Sequence, residues 1–143
     1  MLKRRTLFVI ALIFSFSMIL SSCNSNRDEM FQLTIINPQT RVQVGDNVTY
    51  TAQLTNNTNK KVTIYHGYPL INLYIRHVDD TTEEGIGSVR IESIVEPHEI
   101  LERTLNIEAV EAGEYILRAF SRFEIDGNDC LLECDDVRVT IVE

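Results

Sequence analysis

Three histidines, His66, His77 and His98, are the first side chains in this sequence that could do chemistry, because neutral imidazole is a common ligand for copper and zinc. They are spaced 11 and 21 residues apart, which matches no ligand signature. Each falls at a strand end or a turn, so solvated or structural histidines are expected ahead of a shared metal site. The acids Glu124, Asp126, Asp129, Glu133, Asp135 and Asp136, with Asn128 among them, are the second candidate. Calcium takes about six to eight oxygens converging from a loop. Here Gly127 directly follows Asp126 and the later fixed glutamate of an EF-hand loop is missing. An acidic hairpin is the better reading, with Asp126, Asn128 and Asp129 as the residues to watch for calcium. Asp79, Asp80, Glu83 and Glu84 read as a solvated loop.

Cys130 and Cys134 could pair. In a straight strand, four residues at about 3.3 Å each separate the two Cα atoms by roughly 13 Å, whereas a disulfide requires less than about 7 Å. A bond would therefore need a bulge or turn between them, and disulfide and free thiols both stay open. The spacing is not that of a C-x-x-C redox motif, and no histidine stands close enough in sequence to make a strong metal pair. There is no glycine-framed serine, no phosphate-binding glycine loop and no H-E-x-x-H. Neither an enzyme nor a cofactor is expected.

Met1-Leu2-Lys3-Arg4-Arg5 is followed by an almost uniformly apolar run from Leu7 to Leu20, the charged and hydrophobic regions of a secretory signal. The run is shorter than the roughly 20 residues of a relaxed transmembrane helix. Leu20-Ser21-Ser22-Cys23 then supplies an aliphatic residue, two small residues and a cysteine, and resembles the lipobox of bacterial lipoproteins. The resemblance implies a signal peptide at residues 1–22, cleavage before Cys23, and diacylglycerol on the Cys23 sulfur. Two signals suffice for stable anchoring, and two acyl chains meet that arithmetic. Residues 24–29 read as a polar tether. The expected address is extracytoplasmic, on a bacterial cell membrane or outer membrane, and that oxidising compartment favours a Cys130–Cys134 bond.

The precursor carries 13 basic and 21 acidic residues, a formal charge of −8. Without Lys3, Arg4 and Arg5 the charge is −11. A nucleic-acid partner needs a basic footprint, and this is its opposite. About 120 remaining residues suit one domain.

Helical spacing is nearly absent after the tether, while period-2 alternation recurs between turn signals about every ten residues. Val48, Tyr50, Ala52 and Leu54 alternate with Thr49, Thr51 and Gln53, a half-buried strand. Asn56-Asn57-Thr58-Asn59 is a turn cluster, and Val62-Thr63-Ile64-Tyr65 is expected to return as its hairpin partner. Gly67-Tyr68-Pro69 is expected to break the chain before a strand over 70–76, with Ile71, Leu73 and Ile75 on one face. Leu101, Leu105 and Ile107 are assigned to the core, and Asp126-Gly127 marks a hairpin. Residues 30–143 are therefore expected to form an all-β, immunoglobulin-like antiparallel sandwich of about seven or eight strands.

Ala112-Gly113-Glu114-Tyr115-Ile116-Leu117-Arg118-Ala119 resembles the entry to the penultimate strand of immunoglobulin-like domains, where a tyrosine bonds back to upstream backbone. More narrowly, Leu54 to Ile64, Val95-Glu96-Pro97-His98-Glu99 and Gly113-Glu114-Tyr115 together resemble the Bacillus intracellular proteinase inhibitor domain family, over roughly residues 45–125. His98 stands where that family has glycine, and the chain has no tryptophan. The resemblance implies the architecture and raises protease inhibition as a possible activity. The expected function is a membrane-tethered, non-enzymatic domain that binds a protein or cell-envelope component. The alternative is a small-ligand or metal carrier for calcium, copper or zinc.

Overall fold

Strong period-2 alternation leaves the chain little choice but sheets, and every regular element among the described residues is a strand. The computed structural model describes residues 29–80 and 89–143. The signal, Cys23 and the tether up to residue 28 lie outside the described residues, as do 81–88. The nine strands are β1 (Phe31–Ile36), β2 (Arg41–Gln43), β3 (Asn47–Asn56), β4 (Val62–His77), β5 (Ile91–Val95), β6 (Ile100–Glu108), β7 (Gly113–Ile125), β8 (Asn128–Glu133) and β9 (Val137–Val142).

They form an immunoglobulin-like sandwich. The smaller sheet has the order β1-β3-β6, and the larger runs β2-β9-β7-β4-β5, with β8 also pairing β7. One edge of β7 is thus shared by β9 along its first half and β8 along its second. All pairs are antiparallel except β2 with β9, which is parallel, so the expected purely antiparallel sheet holds everywhere but at that edge.

Val48, Tyr50, Ala52 and Leu54 do face inward from β3. Against them pack Ile64, Leu117, Phe123 and Val139 from the larger sheet, all buried. Phe31 meets Phe123 edge-on at 5.2 Å between ring centroids. Burying each such side chain stabilises the fold by about 1.5–3 kcal/mol. Tyr50 crosses between the sheets, and its hydroxyl lies 2.8 Å from the Tyr74 carbonyl and 3.1 Å from that of Arg118. That tie satisfies a polar group which would otherwise be costly to bury.

Four expectations are corrected. The Asn56–Asn59 turn is not a hairpin, because β3 pairs β1 and β6 while β4 pairs β5 and β7. The chain changes sheets there, around the fully buried Asn56 side chain. Its Nδ2 lies 3.0 Å from the Lys60 carbonyl, 3.3 Å from that of Val95 and 3.0 Å from that of Glu96. Its Oδ1 accepts from the backbone N–H and hydroxyl of Thr58. Gly67-Tyr68-Pro69 does not divide β4 into two strands. The strand passes through it as a bulge, with the pairing to β7 shifting between His66 and Ile71. The strand count is nine rather than seven or eight because the short β2 pairs and residues 128–142 make two strands. Finally, Ile107 is 39% exposed rather than in the core, at the outer end of edge strand β6.

Two turns follow their backbone chemistry. Asp126 and Gly127 have φ of 50° and 76° and connect paired Ile125 and Asn128, the two positive angles that a type I′ hairpin requires. His98, at φ 59°, occupies the left-handed position after Pro97, where the Glu99 N–H donates to the Glu96 carbonyl at 3.1 Å. Glycine suits such a position best.

Candidate functional site

The three histidines are held apart. His66 faces inward from β4 with Nε2 2.9 Å from Ser93 Oγ and Nδ1 2.5 Å from the Gly67 carbonyl. His77 ends the same strand, edge-on to Tyr115 at 5.4 Å and 3.5 Å from Asp79. His98 sits on the β5–β6 turn with Nε2 2.8 Å from Asn59 Oδ1. Among the described residues, no three His, Cys, Asp or Glu side chains are placed to hold a metal ion.

The acids of the last hairpin diverge as well. Asp126 is consumed by the turn, and Asn128 Nδ2 donates to its carbonyl at 2.9 Å. Asp129 pairs with Arg122 at 3.0 Å, Glu124 with Arg90 at 3.0 Å, and Asp136 with Arg118 at 2.7 Å. Glu133 lies 3.8 Å from Arg118. No disulfide joins Cys130 and Cys134. The strand is straight between them, continued by the Cys134 N–H donating to the Ala119 carbonyl at 3.0 Å, so the bulge that pairing needs is missing. Burial is the main cause pushing the Cys134 thiol up to about 11, with the Asp135 charge adding to it. Tyr115 does what its sequence setting implies, its hydroxyl donating to the Glu111 carbonyl at 3.2 Å.

What the strands do assemble is a face. Alternation in β4 and β7 puts Tyr65, Asn72, Tyr74 and Arg76 on the outer side of the larger sheet beside Ile116, Arg118, Phe120, Arg122 and Glu124. Tyr74 and Phe120 meet edge-on at 6.0 Å, the Arg118 guanidinium lies 5.9 Å from the Tyr74 ring, and that of Arg90 lies 4.6 Å from the Tyr65 ring. Five of the seven arginines in the described residues (41, 76, 90, 103, 118, 122 and 138) belong to this face, all but Arg41 and Arg103. Leu131 beside Arg122 and Ile94 on β5 are each 54% exposed there. Glu92 raises the Tyr65 phenol above its ordinary value, first by hydrogen bonding and then by its charge.

Tyrosine and arginine are the side chains that concentrate binding energy at protein interfaces, since each joins a broad apolar surface to directional donors. Sequence reasoning assigned the outward positions of β7 no role. The signal was present in Ile116-x-Arg118-x-Phe120-x-Arg122, where a solvated face would have carried short polar residues.

Similarity to one solved domain supports the architecture. The chain is similar to the CARDB domain of a Pyrococcus furiosus protein solved in complex with di-metal ions, with a TM-score of 0.50, 15% identity, and 78% of this chain aligned to 87% of that one. The ASH / PapD-like domain of human CEP192 aligns with a TM-score of 0.47 and 11% identity over 90% of this chain and 96% of that one. A Listeria innocua β-glucosidase aligns with a TM-score of 0.44 and 11% identity over 79% of this chain but 16% of the enzyme. No family model matches the chain, and no curated protein does.

Proposed function

We propose that this chain is an extracytoplasmic lipoprotein whose sandwich, tethered through lipid on Cys23, binds a protein or cell-envelope partner through the outer face of its larger sheet. The observation that carries the reading is the clustering of Tyr65, Tyr74, Phe120 and the face arginines on one side of the domain, with no comparable cluster on the other side among the described residues. The described residues begin at Glu29, and the carbonyl of the following Met30 accepts from the Asn57 N–H at 2.8 Å. The six tether residues 24–29 reach at most about 20 Å from Cys23, enough to stand the sandwich clear of a lipid surface with both broad faces accessible.

Protease inhibition is the narrow form of this reading to assay, following the resemblance of residues 45–125. The metal-carrier alternative finds no favourable geometry: the archaeal CARDB domain was solved with di-metal ions, but the described histidines and acids of this chain diverge.

The test uses intact cells carrying a benzophenone crosslinker at Phe120 or, on the opposite face, at Thr51, each with Cys23 intact and with Cys23→Ser behind a conventionally cleaved signal. Expected are discrete adducts from Phe120, none from Thr51, and loss of both anchoring and membrane-fraction adducts with Cys23→Ser. Equal adducts from both faces, or retention of the unlipidated chain on membranes after a high-salt wash, would overturn the reading.

A further inference from the structure

Three of the face arginines are neutralised by the chain itself: Arg90 by Glu124, Arg118 by Glu133 and Asp136, Arg122 by Asp129. Arg76 and Arg138 form no ion pair among the described residues. They also share one row of the sheet. Arg76 on β4 is the cross-strand neighbour of Ile116, and Ile116 is the cross-strand neighbour of Arg138 on β9. Two strand spacings separate their Cα atoms, about 9.6 Å. Their side chains rise on the same face from either side of Ile116. Arg138 is exposed and Arg76 half-buried, with its Nε shielded from solvent and without a hydrogen-bond partner. A buried donor left unsatisfied is costly and calls for an acceptor. No carboxylate among the described residues lies within 4.0 Å of the Arg76 guanidinium. Glu114 occupies the next row, opposite Thr140, and Asp136 is held by Arg118 at 2.7 Å.

We propose that Arg76 and Arg138 form a cradle for one phosphate-class oxyanion seated over Ile116. This deepens the binding-face reading and rests on it. One guanidinium fork takes the two facing lone pairs of a carboxylate and leaves a second fork only the outer ones, which lie in the same plane. A tetrahedral phosphate offers oxygen edges to two forks arriving from opposite sides. The row lies nine residues along β7 from Ile125, about 30 Å, while Ile125 is at the end of the sandwich where β3 ends and the chain enters at β1. A lipid on Cys23 would therefore be far from the row, and the phosphate belongs to an ester carried by a partner on the side away from the membrane rather than to a lipid headgroup.

The experiment follows the arginine Nε–Hε resonances of the full chain in detergent micelles during titration with inorganic phosphate, with acetate at matched ionic strength, and with anionic phospholipid vesicles. Expected are joint, saturable shifts of Arg76 and Arg138 with phosphate, half-complete on the order of 1–10 mM, and no saturation with acetate. Arg138→Ala should weaken the phosphate response about tenfold or more. Arg138→Lys should also weaken it, because an ammonium keeps the charge and loses the fork. Unchanged amide dispersion identifies folded variants. Linear shifts, equal shifts with acetate, or a response spread over Arg118 and Arg122 would sink the cradle. Saturation by vesicles at lower phosphate concentration than inorganic phosphate would overturn the assignment of its source. Crosslinked adducts at Phe120 without a phosphate response would leave the binding face standing and remove only the cradle.

Discussion

The two outer faces of this sandwich are built on the same backbone pattern and spend their side chains in opposite ways. On the smaller sheet, Thr51 faces Thr104 across the strands with hydroxyls 2.7 Å apart, Gln53 Nε2 donates to Glu102, and Thr49 faces Asn106. Those polar groups bond to one another across the strands. On the larger sheet the equivalent positions carry Tyr65, Tyr74, Phe120 and five arginines, whose apolar surface and donors are only partly used within the chain. A polar cross-strand ladder stabilises a sheet and repels partners. Rings interleaved with guanidinium groups leave binding energy available at the surface. The contrast is the ground for proposing that recognition uses the larger sheet's face, and it needs no motif.

The comparison depends on a shared frame, and the largest effect should come from breaking that frame. Asn56 is fully buried where β3 gives way to β4, and its amide joins the β3–β4 connection to the carbonyls of Val95 and Glu96 on the larger sheet's side. Asn56→Ala should cost about 3 kcal/mol, because it leaves buried carbonyls unpaired in addition to removing bonds. Urea denaturation measures it. A loss below about 1 kcal/mol would mean that water or relaxation replaces the amide, and that the two faces are not held in register through this residue.

A smaller effect should separate the faces themselves. Tyr74→Ala removes one edge-on ring contact and one guanidinium contact, together about 1.5 kcal/mol. Thr104→Ala removes one exposed hydroxyl pair, roughly 0.3 kcal/mol. The difference should appear in thermal unfolding, and a double-mutant cycle of Tyr74 with Phe120 should return a coupling of about 0.5–1 kcal/mol. Equal costs on both faces would show that the aromatic side is not the more strongly packed, and would blunt the contrast.

Much of the fold was legible because alternation is a local signal. β3 and β7 were readable from Val48-x-Tyr50-x-Ala52-x-Leu54 and from the run after Gly113, and the Asp126-Gly127 hairpin from its dipeptide. What failed depended on pairing at a distance. Nothing within Asn56–Lys61 distinguishes a hairpin from a change of sheet, since the distinction lies in which strands accept β3 and β4. The β4 bulge was misread as a break for a related reason: β7 supplies partners on both sides of Gly67-Tyr68-Pro69 and carries the strand through. The candidate site was legible in its parts but not in its whole. Arg76, Ile116 and Arg138 are scattered over 63 positions, and only the register of three strands puts them in one row.

The smallest predicted effect concerns His98, which belongs to neither face and sits on the turn that carries the chain from the larger sheet to the smaller. Its φ of 59° places an ordinary side chain in the left-handed region, a strain of about 1–2 kcal/mol. Glycine relieves that strain but gives back about 0.5–1 kcal/mol through the greater freedom of the unfolded chain. It also forfeits the exposed bond to Asn59, about 0.5 kcal/mol at most in water. The balance should leave His98→Gly about as stable as the parent or up to roughly 0.5 kcal/mol more stable, whereas His98→Ala keeps the strain, loses the bond and should fall by about 0.5 kcal/mol. The order glycine, histidine, alanine is thus the expected result in paired thermal melts. A glycine variant more than about 1 kcal/mol weaker would show that the imidazole contributes beyond its bond to Asn59. That outcome would draw the turn at this end of the sandwich into the functional comparison of the two faces.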